Sequence, residues 1–224
     1  MSGIQVATAP TSEPLTVLEA IDHLRLDSDV DETLVMSLIV GAREWAENYT
    51  GRAFITRTIH QWLDGFVSAE RDLWEGFTVG TDIVRYENHI ELAQTPVISL
   101  THIKYFDDDD TESTWAATNY YVDTIREPAR IVLRDGGTFP TELRAANGIK
   151  IVYEAGYGSA PLNVPEPIRL AMLQYCAFMY EHRGDFERFP PPQPPKVLDL
   201  LLKPYQIMRF GSTPFRNMVR AGIG

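Results

Sequence analysis

Apolar residues along this chain repeat at two periods, helical towards both ends and alternating in the middle. Thr16-Val17-Leu18-Glu19 has the Thr-x-x-Glu spacing of a capping box, in which hydroxyl and carboxylate take up the first free N–H groups of a helix. Leu18, Ile21 and Leu24 follow at helical spacing, so a short helix to about Leu26 is expected, interrupted by Asp27-Ser28-Asp29. A longer helix is expected from Asp31 to Tyr49. Leu34, Leu38, Ala42, Trp45 and Tyr49 form one stripe of it, Val35, Ile39 and Ala46 lie beside that stripe, and Gly51 is the stop. The two make a helical hairpin.

From Phe54 the period falls to two. Strands are expected over Ile55 to Leu63, His89 to Leu92, Val97 to Phe106, Tyr120 to Asp123, Ala129 to Leu133 and Ile149 to Ala155. Turn residues separate them: Asp107 to Asp110, Arg134-Asp135-Gly136-Gly137 and Asn147-Gly148. Short strands at short intervals read as an antiparallel sheet or small sandwich. After Gly156-Tyr157-Gly158 the helical period returns, with Pro165 and Pro167 suited to a first turn. That helix is apolar almost all round, so it requires cover on several sides, from the core or from neighbouring copies. Met172, Tyr175, Met179 and Tyr180 are its candidate subunit-interface residues. A proline-rich connector over Phe189 to Pro195 and a brief helix over Val197 to Leu202 follow. The fold class is α+β: a discontinuous helical bundle (residues 15–52 and 160–205) with an inserted antiparallel β domain (53–159). A flexible N-terminal arm (1–14) and a C-terminal arm (206–224) complete it.

Charge changes this picture at one end. The net charge is −11, which argues against wrapping nucleic acid on a basic surface. From Lys196 onward, however, Lys196, Lys203, Arg209, Arg216 and Arg220 face only Asp199, and apolar Phe210, Phe215 and Met218 stand among the arginines. Guanidinium groups interleaved with apolar anchors are the composition of an interface segment that orders on an acidic partner. No apolar run approaches a membrane span, and Met1 to Pro14 lacks the features of a secretion signal, so a soluble chain kept in a cytoplasm is expected.

Catalytic chemistry is looked for and fails motif by motif. Gly156-Tyr157-Gly158-Ser159 lacks the Gly-x-Ser-x-Gly order, and there is no phosphate loop or His-Glu-x-x-His helix. His23, His60, His89, His102 and His182 are scattered without metal-ligand spacing. Asp107 to Asp110 lacks the alternation of a calcium loop and reads as a solvated hairpin turn. Cys176 stands in an apolar stripe, where burial makes a thiol inert. No cofactor, metal or enzyme activity is expected. Trp62, Trp74, Trp115 and Tyr120, if exposed, would instead suit a carbohydrate-binding sandwich.

Ala20 to Asp27, Glu44 to Ala53 (Glu-Trp-Ala-Glu-Asn-Tyr-Thr-Gly-Arg-Ala) and Pro96-Val97-Ile98-Ser99-Leu100 resemble the head-tail connector family of long-tailed phages and gene transfer agents. Asn119 to Asp123, Pro128 to Val132, Ala155 to Gly158, Val164 to Ile168 and Leu201 to Tyr205 look like later segments of the same family, in order. The resemblance spans roughly Leu15 to Tyr205, and the β insertion departs from that family's nearly all-helical minimal members. It implies a dodecameric ring beneath the portal, assembled in a bacterial cytoplasm and located in the particle neck. Genomic DNA would pass through without sequence-specific binding, and stopper or tail-terminator proteins would dock on its far side. A stopper or tail-terminator subunit is the rival within the same particle. The portal-interface candidates are Lys203, Tyr205, Arg209, Phe210, Phe215, Arg216, Met218 and Arg220.

A protein that works by shape tolerates loss of its reactive side chains. Changing Cys176 to Ser and each His to Gln should leave particle assembly intact, with losses of about 1 kcal/mol at buried positions. An exposed His whose replacement abolishes transfer while particles still assemble would point to catalysis instead.

Overall fold

A computed structural model describes residues 3–26, 32–65, 89–183 and 193–207. Helix α1 spans Val17–Leu24 and opens on the expected capping box: Thr16 Oγ1 accepts from the Glu19 N–H at 3.2 Å, and the Thr16 N–H donates to Glu19 Oε2 at 2.8 Å. It stops two residues before Leu26 because Arg25 turns left-handed (φ 54°) and closes the helix with an N–H bond to Asp22 O. Helix α2 spans Glu32–Thr50 and ends at Gly51, whose φ of +73° an L side chain rarely adopts. Helices α3 (Glu166–Glu181) and α4 (Lys196–Leu202) follow the β region. Helix α3 runs antiparallel to α2: Met179 lies by Gly41, while Tyr175, one turn earlier, stacks on Trp45, one turn later. Among the described residues no helix is long and apolar enough to cross a membrane.

Among the described residues eight strands lie between and before the helices, β1 (Gly3–Val6), β2 (Arg57–Leu63), β3 (His89–Glu91), β4 (Val97–Phe106), β5 (Glu112–Thr114), β6 (Tyr120–Asp123), β7 (Arg130–Leu133) and β8 (Ile149–Ala155). They form a five-stranded sheet in the order β1-β2-β8-β4-β5 and a three-stranded sheet β3-β7-β6, with every strand pair antiparallel. The class is therefore α+β, as expected. One expectation is corrected: Gly3–Val6, placed in a flexible arm, pair with Ile59–Trp62 as an edge strand. All four residues are exposed, so the strand is held by main-chain bonds to β2 and carries no burial pattern. Strand β5 is a second edge of this kind, joined to β4 by the Asp107–Thr111 turn, where Asp107 Oδ1 accepts from the Asp109 and Thr111 N–H groups.

The described residues bury two hydrophobic clusters. One is helical and includes Val35, Ile39, Ala46, Ile168, Met172, Cys176, Leu198 and Leu202. The other lies between the sheets and includes Ile59, Leu92, Ile103, Trp115, Ile131, Ile151 and Tyr153. Between them runs a buried polar seam. Glu47, in the last turn of α2, accepts from Arg43 Nη1 at 3.0 Å and Arg57 Nη1 at 2.9 Å on Oε2, and from the Phe54 N–H at 2.9 Å on Oε1. Arg43 also donates to Glu13 at 2.7 Å, and Arg57 reaches Gln94 at 3.1 Å. Burial disfavours the charge on Arg43, yet its bonds to Glu13 and Glu47 more than offset that and hold the guanidinium above its ordinary value. Gly156 closes the seam from the other side. A Cβ there would stand 2.5 Å from the Thr56 nitrogen, so only glycine lets the β8 exit pass the chain entering β2.

Removing the Glu47 charge leaves the buried Arg57 guanidinium without its carboxylate and Arg43 with Glu13 and the more distant Glu44 only. Glu47→Gln should cost about 3 kcal/mol or more, read as a Tm lower by roughly 6 °C or more in calorimetry. Glu44→Gln, at a carboxylate with a 63% exposed side chain, should stay within about 0.5 kcal/mol. Equal effects at the two positions would show that the seam does not carry the frame.

Candidate functional site

The sequence placed its interface candidates on α3, and the structure divides them. Met172 is corrected: it is fully buried inside the helical cluster and has no surface to offer another copy. Tyr175 is half-buried in a ladder of rings along one flank of α2 and α3. Its ring lies 4.2 Å from Trp45 at 10°, Trp45 is 5.6 Å from Tyr49, and Phe178 continues from Tyr175 at 6.1 Å to His182 at 4.6 Å. Met179 is half-buried and packs near Gly41, and Tyr180 carries the Arg183 guanidinium 4.3 Å above its ring. Burial pushes the Tyr175 phenol up, and burial with a hydrogen bond to Asp199 of α4 does the same to Tyr49.

Of the basic C-terminal candidates, Lys203 is exposed and opens a short 3-10 turn over Lys203–Tyr205. The carbonyl of half-buried Tyr205 accepts from Arg52 Nε at 2.6 Å, while the Arg52 fork is bidentate to Glu127. That pairing holds the Glu127 carboxyl below its ordinary value, with burial opposing. Arg209, Phe210, Phe215, Arg216, Met218 and Arg220 lie outside the described residues, as do Trp74 and most of the proline-rich connector.

Among the described residues the aromatic platform imagined for a carbohydrate is not built. Trp115 and Tyr120 are 4% and 7% exposed, stacked at 4.8 Å inside the sandwich, and the Trp115 indole donates to Thr138 O at 3.1 Å. Trp62 is half-buried against Phe106 at 5.9 Å, with Lys150 over its face. Among the described residues no group of three His, Cys, Asp or Glu converges as metal ligands would. Cys176 is fully buried and its thiol is pushed up to about 12, so it stays protonated at neutral pH. His60 and His102 both stand opposite Val152, two strands apart on one face of the larger sheet. What sequence reasoning missed is apolar and exposed: Leu18 (72%) on α1, Met36 (44%) on α2, and Val197 (43%) and Leu200 (76%) on α4.

No family model matches the chain, and no curated protein matches it. Solved structures do. A chain from the neck of an empty gene transfer agent particle, reconstructed with C6 symmetry, superposes with a TM-score of 0.69 at 23% identity, covering 95% of this chain and 100% of that one. The protein shares the fold of a gene transfer agent neck chain. A chain of the native gene transfer agent virion gives 0.67 at 19% identity over 94% of this chain and 98% of its own, and one from the native neck with C12 symmetry gives 0.65 at 23% over 95% and 100%. With 95% of this chain covered, most of residues 53–159 fall within the matched span.

Burial first, then Lys150 and His102, hold His60 below the ordinary 6.5, and burial, Lys104 and Lys150 do so for His102 against the pull of Glu112. The unfolded chain therefore binds more protons below about pH 6.5. The stability these neutral imidazoles contribute is present above that pH and declines as pH falls through it. Changing both to Gln should flatten the stability curve in the window just below pH 6.5, followed by urea midpoints. An unchanged slope would place the acid sensitivity elsewhere.

Proposed function

We propose that this protein is a head-tail adaptor, one subunit of a ring beneath the portal of a tailed phage or phage-like particle. The observation that carries the reading is the end-to-end superposition on neck chains, whose whole length this chain covers. Those necks were reconstructed with C6 and C12 symmetry, which supports a dodecameric ring of this chain. Helices 15–52 and 160–205 act as one unit that holds the ring, and residues 53–159 project from it as the inserted domain. The hairpin of α1 and α2 ahead of the sheet favours an adaptor over a stopper or tail-terminator, which share ring geometry without that helical frame.

The work done is mechanical. A chain of net charge −11 repels DNA and lets it slide through a continuous channel without reading its sequence. The basic arm that follows Lys203 docks on the portal through arginine pairs with its carboxylates, and the opposite side receives the stopper or tail-terminator. Assembly takes place in the bacterial cytoplasm, and neither a cofactor nor catalysis is required.

Tagging the subunit and imaging purified particles should place twelve copies between portal and tail. Deleting residues 211–224 should leave a folded subunit and DNA-filled heads that lack tails. Tag density at the tail tip or on the capsid shell would refute the neck assignment, and tailed particles at normal yield would move portal docking away from the arm.

A further inference from the structure

Ile125 is the most exposed large apolar residue among those described, 96% open to solvent at the tip of the hairpin between β6 and β7. A single exposed aliphatic side chain is ordinary on a surface and by itself implies nothing. This one differs in how it is mounted. Asp123, at the end of β6, accepts on Oδ1 from the Ile125 N–H at 3.2 Å and the Arg126 N–H at 3.4 Å, and on Oδ2 from Arg130 Nε at 3.0 Å. On the far side of the tip, Glu127 is gripped by both arms of the Arg52 fork. The main chain is thereby tied down on either side of the isoleucine, so presenting it to a partner costs little ordering.

Charge singles out the same place. Asp123 and Glu127 are both taken up by arginines, Arg130 and Arg52, and those bonds hold each carboxyl below its ordinary value. Arg126 is exposed and forms no ion pair among the described residues, and the same is true of Lys203, two residues before Tyr205. A chain of net charge −11 therefore carries two unmatched cations here.

Arg52 also fixes where the tip lies relative to the end of the described chain. One guanidinium holds Glu127 and the Tyr205 carbonyl together, and the Ile207 N–H donates to Thr50 O at 2.9 Å. Ile125 and Ile207 are each two positions from a residue on that guanidinium, so the hairpin tip and the root of the basic C-terminal arm are neighbours.

We propose that Ile125 and Arg126 are a rigid second anchor beside the arm: Ile125 enters an apolar pocket on the protein that receives the arm, and Arg126 and Lys203 meet carboxylates at the rim of that pocket. In the neck reading, on which this rests, that protein is the portal. Two anchors close together on one frame engage one partner jointly, and each raises the effective concentration of the other.

The test uses the whole chain with Ile125→Ser or Arg126→Glu, and with Thr124→Ala in the same loop as control. All three should keep the wild-type Tm and form rings in sedimentation as the wild type does, because residues 124–126 are exposed. Affinity for purified DNA-filled heads that lack a neck should fall about tenfold or more for each of the first two variants and stay unchanged for the control. Arg126→Gln should also flatten the salt dependence of that binding. Combined with deletion of residues 211–224, Ile125→Ser should weaken binding further than either change alone. Heads bound at wild-type affinity by both Ile125→Ser and Arg126→Glu overturn the anchor and leave the neck reading standing. Rings lost in those variants at an unchanged Tm give the tip to a second copy, and binding to bare DNA that Arg126→Glu abolishes gives it to phosphate; either result overturns the anchor. A wild-type chain that neither forms rings nor binds heads overturns the neck reading as well.

Discussion

The structure turns on one carboxylate. Glu47 lies at the end of the longest described helix, within reach of the turn that leaves it and of the first residue of β2, and it bonds to both while pairing Arg43 and Arg57. Taking three charges out of water is unfavourable unless each is matched and hydrogen-bonded, and this geometry matches them. Apolar contact between the helices and the sandwich would be satisfied by many relative orientations, because hydrophobic burial is non-directional. A carboxylate that must meet two guanidinium groups and an N–H at once admits very few.

The same logic recurs around the seam. Arg52 reaches Glu127 in the hairpin between β6 and β7 and, with its Nε, the carbonyl of Tyr205 after α4. Arg169 of α3 bonds the Pro14 carbonyl at 3.0 Å and pairs with Glu19 and Glu166, which ties the N-terminal segment to both outer helices. Arginine serves each time because its planar fork holds several acceptors in fixed directions. The seam thereby sets where the exposed surfaces point. Under the proposed ring reading, the angle between contact patches decides closure, so a polar lock at the centre would also constrain assembly.

Chains from gene transfer agent necks and from the native virion share this fold at 19–23% identity. A protein that acts through shape needs its buried pattern and its junction geometry, and surfaces can drift together with their partners.

The sequence by itself determined the elements whose signals are local. The capping box at Thr16, the stop at Gly51, the proline-started α3 and the strands Val97–Phe106, Tyr120–Asp123 and Ile149–Ala155 stand where spacing and turn chemistry put them. Only the tertiary structure decided what depends on residues far apart in the chain. Strand β1 exists because β2 offers an open edge, not because Gly3–Val6 bury anything. Met172 faces the core and Tyr175 the flank because α2 packs on one side of α3. Trp115 and Tyr120 are core because a second sheet covers them, and Leu200 is surface because none of the described residues does. Periodicity states that a residue is apolar and on which stripe it lies; which stripe is covered, and by what, is a property of the packed whole.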